Sequence, residues 1–90
     1  MDKIIVTVVG KDKVGIIARV CIYLSENNIN ILDISQTITG GYFNMLVIAD
    51  VSGCSKNYEQ IAAELENIGY DMELVITAQR EGIFTAMHRI

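Results

Sequence analysis

The sequence holds one histidine, two cysteines and few basic residues, and each scarcity removes a class of function. With His88 as the lone histidine, a His-rich metal site and most His-based acid–base schemes are out of reach. Cys21 falls in a helical pattern and Cys54 in a loop, without C-x-x-C spacing. Neither a zinc nor a redox motif is present, so both read as free thiols. Seven Lys and Arg against eleven Asp and Glu give a net charge of −4, with the basic residues spread along the chain. A phosphate-backbone binder gathers positive charge on one face, so direct nucleic-acid binding is not expected. No apolar run approaches the roughly 18 residues a membrane span requires, and no membrane association is expected. The chain enters a strand pattern directly after Met1-Asp2-Lys3, without the pattern of a signal peptide, which points to a cytoplasmic protein. Half of the residues are hydrophobic, so the chain can bury a core, and 90 residues suffice for a single domain, 1–90.

Hydrophobic periodicity orders the elements. Lys3 to Val9 is a β-branched run that reads as a buried strand, ended by Gly10. From Val14 to Asn27 the pattern is helical. Val14, Ile17, Ala18, Cys21 and Leu24 make one stripe, expected to face the sheet; Ile16, Val20 and Tyr23 make a second beside it, available to another helix, a tail or a second subunit. Asn27-Asn28 closes that helix. Asn30 to Thr39 reads as a strand, with Leu32, Ile34 and Ile38 on one face. Gly40-Gly41 signals a hairpin into Tyr42 to Val51, where Phe43, Met45, Val47, Ala49 and Val51 alternate with polar or mixed positions. A second helix spans about Lys56 to Ile68, with Tyr58, Ile61, Ala62, Leu65 and Ile68 as its apolar stripe. Asn57 and Gln60 form its capping box, with Ser55 as a rival cap, and Gly69 is its C′ residue. Asp71 to Arg80 is the last strand. In the remainder, 81–90, Ile83, Phe84, Met87 and Ile90 mark a short amphipathic helix that must dock on its own domain or across a dimer, since ten residues do not hold a helix alone.

The order β-α-β-β-α-β, with right-handed crossovers, predicts an α+β ferredoxin-like fold: a four-stranded antiparallel sheet with two helices on one face, formed by 1–80, plus the short C-terminal helix. The open sheet face would carry Ile5, Thr7, Val9, Leu46, Ile48 and Val75 among polar residues. Such a mixed face suits an association surface, so at least a dimer is expected.

The candidate site is the loop Gly10-Lys11-Asp12-Lys13-Val14-Gly15-Ile16, directly ahead of the first helix. Unpaired N–H groups and the positive end of a helix dipole converge there, a place to hold a small anionic group. Asp12 is equally able to be a helix cap or first-turn charge, and Gly15 to serve tight packing of helix on strand; Lys11 and Lys13 read as solvated. No Ser–His or Cys–His pair accompanies the loop, so no enzyme is expected; a scheme using only the carboxylates of Asp12 and Asp33 lacks a base–nucleophile pair. No cofactor and no metal is expected.

The run Val8-Val9-Gly10-Lys11-Asp12-Lys13-Val14-Gly15-Ile16, followed at the right distance by Asn30-Ile31, resembles the ACT domain, whose signature is a strand, G-x-D-x-x-G-[IV], a helix and N-I. The resemblance extends over nearly the whole chain in element order. Its length and its Ile-Phe-x-x-Met-His-Arg-Ile tail are similar to the stand-alone ACT proteins of the UPF0237 group, and to the ACT halves of the glycine-cleavage repressor type. The resemblance implies a non-catalytic regulatory domain that binds an amino acid as a homodimer. Its site would lie between the first loop of one subunit and the start of the second strand, often a partner's, with Gly10, Asp12, Gly15 and Ile16 on the loop and Asn30 on the strand. A domain that regulates a metabolic enzyme or transcription factor by protein contact alone is the alternative.

Overall fold

The computed structural model describes residues 2–82. The elements follow the expected order: β1 (Lys3–Lys11), α1 (Ile16–Glu26), β2 (Asn30–Thr39), β3 (Tyr42–Asp50), α2 (Tyr58–Asp71) and β4 (Val75–Arg80). The strands form one antiparallel sheet in the order β2-β3-β1-β4, and the two central strands, β1 and β3, are the ones richest in buried residues. Ile4, Val6 and Val8 of β1 and Phe43, Met45, Val47 and Ala49 of β3 point to the helix side. They meet Ile16, Val20 and Leu24 of α1, Ile61, Leu65 and Ile68 of α2, and Ile76 and Ala78 of β4 in a single core. The C-terminal helix expected over 81–90 falls largely on residues 83–90, outside the described residues.

Local signals explain the turns. Gly40 and Gly41 both take positive φ, 60° and 83°, as a two-residue hairpin between twisted strands requires. Asn57 accepts from the Gln60 N–H while the Gln60 side chain accepts from the Asn57 N–H, so the expected capping box forms and Ser55 is not the cap. At the end of α1, Asn28 sits at φ 56°, with Ile29 N–H donating to Leu24 O (2.9 Å) and Asn28 N–H to Ser25 O (3.2 Å), a complete Schellman closure.

Three expectations need correction. Of the stripe Val14, Ile17, Ala18, Cys21 and Leu24, only Leu24 faces the sheet: Val14 is 99% exposed and the helix starts only at Ile16. The core takes Ile16, Val20 and Leu24, a row of large aliphatic side chains, with Tyr23 packed at its margin, whereas the rejected stripe contains the smaller Ala18 and Cys21. Two adjacent apolar stripes have the same period, and only the volume to be filled separates them. Second, α2 does not stop at Gly69. It runs to Asp71, the C′ position falls on Glu73 at φ 58°, and what was expected as the first residues of β4 forms this closure: Leu74 N–H donates to Gly69 O (2.7 Å) and Glu73 N–H to Tyr70 O (3.2 Å). Third, β1 continues through Gly10, which pairs with Phe43.

A left-handed conformation costs a side-chain-bearing residue about 1–2 kcal/mol, more than glycine's extra chain entropy. Glu73→Gly is therefore expected to stabilise the protein by about 0.5–1 kcal/mol, read as a rise of a few degrees in the thermal midpoint. An unchanged or lower midpoint would mean that Glu73 gains something from its side chain.

On the face away from the helices, Ile5 stands opposite Ile48, Thr7 opposite Leu46 and Thr77, and Val9 opposite Asn44 and Val75, so the expected mixed face exists. Val9 (45%) and Val75 (65%) are exposed, while Ile5 is buried and Leu46 and Ile48 are half-buried. The edge strand β2 carries a bulge between Ile31 and Asp33 that takes Leu32 out of register. Beyond it Ile34, Gln36 and Ile38 stand opposite Val47, Met45 and Phe43, on the helix side, yet Ile34 and Ile38 remain 41% and 60% exposed because the helix layer does not cover this edge.

Tyr23, Glu64 and Lys56 fasten α1 to the start of α2. The Tyr23 hydroxyl and the Lys56 ammonium both donate to Glu64 Oε1 at 2.7 Å, and Lys56 also lies over the Tyr23 ring. Burial, and then the bond to Glu64, push the Tyr23 hydroxyl pKa up. The bonds from Lys56 and Tyr23 hold the Glu64 carboxyl below the usual carboxylate range. A carboxylate depressed in the folded state adds stability above its unfolded pKa of about 4.3, and loses it as pH falls through the folded value. Glu64→Gln is expected to flatten this part of the acid limb of a stability–pH profile; an acid limb as steep as wild type would remove Glu64 from the account.

Candidate functional site

Each expected site residue has a definite place. Gly10 is a strand residue rather than part of the turn. A β-carbon there would meet Leu74 Cδ2 at 2.5 Å and Leu74 Cα at 3.3 Å, so its need for glycine is the approach of the α2–β4 corner. Asp12 is neither helix cap nor first-turn charge. Its N–H donates to Gly41 O (2.9 Å), tying the loop to the β2–β3 hairpin, and among the described residues its carboxylate makes no hydrogen bond or ion pair. Lys13, expected to be solvated, instead donates to Met72 O (2.5 Å), a carbonyl at the negative end of α2. That contact had no local signal, because 59 residues separate the partners.

Gly15 is the N-cap of α1, at φ 92°, and nothing lies within 4 Å of where its β-carbon would be. Tight packing is thus not its reason; the left-handed turn is. A glycine cap has no side chain to offer, no acidic residue occupies the first turn, and the first intrahelical bond comes from Arg19 N–H to Gly15 O (2.9 Å). The N–H groups of Ile16, Ile17 and Ala18 are left at an uncapped, positive helix end. α2 solves the same problem internally with its capping box and Glu59.

Below this helix end lies a groove of about 260 Å³, between α1 and β2, lined by Asp12, Gly15, Ile17, Ala18, Gln36 and Ile38, with Ile16 and Phe43 as its floor. Gln36, Ile38 and Phe43 escaped the sequence-based choice of site. Phe43 reads as ordinary strand alternation, and β2 meets α1 here only through the sheet register.

Asn30 is not part of this groove. It stands opposite Asp50 at one end of β2, beside Cys21, Ser25 and Asn28, whereas the loop lies at the end where Lys11 and Thr39 flank Tyr42. At about 3.4 Å per strand residue the two are roughly 25 Å apart within one chain. The structure therefore groups Asp12, Gly15 and Ile16, places Gly10 just behind them, and separates Asn30.

Chemically, the groove presents one free carboxylate, one bare helix N-terminus and an apolar wall. Among the described residues no three His, Cys, Asp or Glu side chains are placed to hold a metal ion, and no helix is long and apolar enough to cross a membrane. A ferredoxin-like βαββαβ sheet with a groove at its first β–α junction defines the structural class, an α+β two-layer domain, and leaves the function to the site.

Residues 2–79 match the family model described as the ACT domain. A UPF0237 protein of Bifidobacterium longum is 57% identical over 90 residues, covering all of both chains. Among solved structures, an ACT domain protein from Streptococcus pneumoniae superposes with a TM-score of 0.81 at 38% identity, covering 92% of this chain and 93% of that one. A putative glycine cleavage system transcriptional repressor shares the fold (TM-score 0.75, 24% identity), with this chain spanning 45% of its length. The chain belongs to the ACT domain family, in its UPF0237 group.

Proposed function

We propose that this protein is a non-catalytic regulatory domain that binds an amino acid as a homodimer, with each site shared between two copies. The observation that carries the reading is the separation of Asn30 from Asp12 in one chain, combined with a β2 edge that is unpaired and apolar. Two copies joined by antiparallel β2 edges would bring the start of one β2 to the end of the other, and so Asn30 of one copy to the loop of its neighbour. Such pairing also removes an exposed edge that carries Ile34 and Ile38, a liability for a lone domain.

In this site the α-carboxylate of the ligand accepts from the bare N–H groups at the start of α1, and its ammonium group donates to Asp12. Asn30 of the second copy supplies both a donor and an acceptor. Binding an existing shape without bond making suits a domain that reports a concentration, since a ligand held only by the assembled dimer stabilises that dimer.

The test is a thermal-shift and calorimetric series of the twenty amino acids, with light scattering for mass. A dimer at micromolar concentration and a midpoint raised by at least one amino acid are expected. A monomer, or no shift with any of the twenty at millimolar concentration, would sink the proposal.

A further inference from the structure

The polar groups of the candidate groove stand at its head, and what lies beneath them is apolar. Ile17 and Ala18 on α1 face Ile38 on β2, across a floor made by Ile16 and Phe43. Ile17 is 38% exposed and Ile38 60%, while Ile16 and Phe43 are almost fully buried, so the wall is open on a firm base. Ile17 and Ala18 are apolar α1 residues that the domain's own core does not use. Among the described residues no cation lines the groove except Lys13, whose ammonium is held by Met72 O, away from the wall. Gln36 is the one polar side chain beside the wall, and it is uncharged.

We infer that this groove selects amino acids with a branched aliphatic side chain, such as leucine, isoleucine and valine, over serine, aspartate and lysine; the inference rests on the amino-acid-binding reading above. With the ligand's ammonium at Asp12 and its carboxylate at the α1 N-terminus, the side chain points down between Ala18 and Ile38. Each methylene removed from water there favours binding by roughly four-fold, so leucine exceeds alanine by about 30- to 100-fold. A charged side chain meets no partner in the wall and loses its hydration, which excludes aspartate and lysine. The small Ala18 sets the width. A leucine at that exposed helical position fills the space at only a small propensity cost, since leucine ranks just below alanine as a helix former.

The experiment is isothermal titration of the full chain with leucine, valine, alanine, serine, aspartate and lysine, repeated on Ala18→Leu, with sedimentation of both proteins. Leucine or valine is expected to bind at least ten-fold tighter than serine, and Ala18→Leu to reverse the order toward alanine while remaining folded and of wild-type mass. Serine, aspartate or lysine binding as tightly as leucine overturns the inference and leaves amino-acid binding standing. Absence of binding by all six overturns it, and silence from the remaining amino acids as well overturns amino-acid binding itself. An Ala18→Leu protein with an unchanged ligand order but a dissociated dimer assigns the wall to subunit contact and likewise overturns the inference.

Discussion

Gly69→Ala is expected to lower the stability of the domain by about 2 kcal/mol, or roughly 8–16 °C in thermal midpoint, despite placing the best helix former inside a helix. Gly69 is a buried residue of α2, two positions before its end. A β-carbon there would stand 2.9 Å from Ile76 Cγ1, 2.9 Å from Leu74 O and 3.1 Å from Ile76 N. Two of those three atoms are backbone, in the turn that carries the chain from α2 into β4, and Gly69 O itself accepts from Leu74 N–H at 2.7 Å. Relief would require moving β4 away from α2 or breaking the helix closure. Overpacking of this kind costs about 1–3 kcal/mol, toward the upper end where backbone must move, and the gain in propensity returns about 1 kcal/mol. Chemical unfolding of Gly69→Ala beside Ala63→Gly, a solvent-facing position in the same helix, separates the two effects. Ala63→Gly loses only the propensity, about 1 kcal/mol. A Gly69→Ala protein as stable as wild type would show that the corner yields freely.

That glycine also marks where sequence reasoning stopped. A glycine after an apolar stripe has two physical uses, a left-handed helix stop or a close approach, and they look alike in one dimension. Only the neighbour decides, and here the neighbour is Ile76, on the strand β4 that follows the helix. Gly10 repeats the lesson, since its partner is Leu74, far along the chain. Where a signal was local it could be read: the Gly40-Gly41 hairpin, the Asn57–Gln60 box, and the alternation Phe43, Met45, Val47, Ala49 all needed only their own neighbours in sequence. The sheet order and the single core follow from those elements and from crossover handedness.

The candidate site divides in the same way. Its loop could be placed because Gly10 and Gly15 bracket a charged tip directly ahead of a helical pattern, and Gly15 does take the left-handed turn that opens α1. Its opposite wall was not, because Gln36 and Ile38 reach the loop only through the pairing of β2 with β3, displaced by a bulge that no residue type announces. The error over the α1 stripes is the most informative. Two of the residues expected in the core, Ile17 and Ala18, border the groove instead, so α1 carries more apolar surface than a two-layer domain buries, a pattern that suits an association or binding surface.

Mixing two defective proteins is expected to restore ligand binding that neither has alone, and this is the strongest consequence of placing Asp12 and Asn30 at opposite ends of one chain. In the proposed site, Asp12→Ala removes a charge-assisted bond to the ligand's ammonium group, and Asn30→Ala removes the contact from the second copy. Each should weaken binding by roughly 10- to 100-fold, the value of a hydrogen bond to a charged group. In a homodimer of either variant both sites are damaged. When subunits exchange freely, half of the dimers are mixed, and each mixed dimer holds one site with both substitutions and one with neither. About a quarter of all sites should then bind with wild-type affinity, which calorimetry reads as a stoichiometry rather than as an average affinity. Both substituted residues are exposed, so neither change removes core packing, and the variants should keep wild-type thermal midpoints without ligand. If Asp12 and Asn30 served the ligand within a single chain, no mixture could rebuild a site, and binding would stay lost at every ratio. If Asn30→Ala alone bound normally, the start of β2 would have no part in the site, and the roughly 25 Å between it and the loop would be the whole reason.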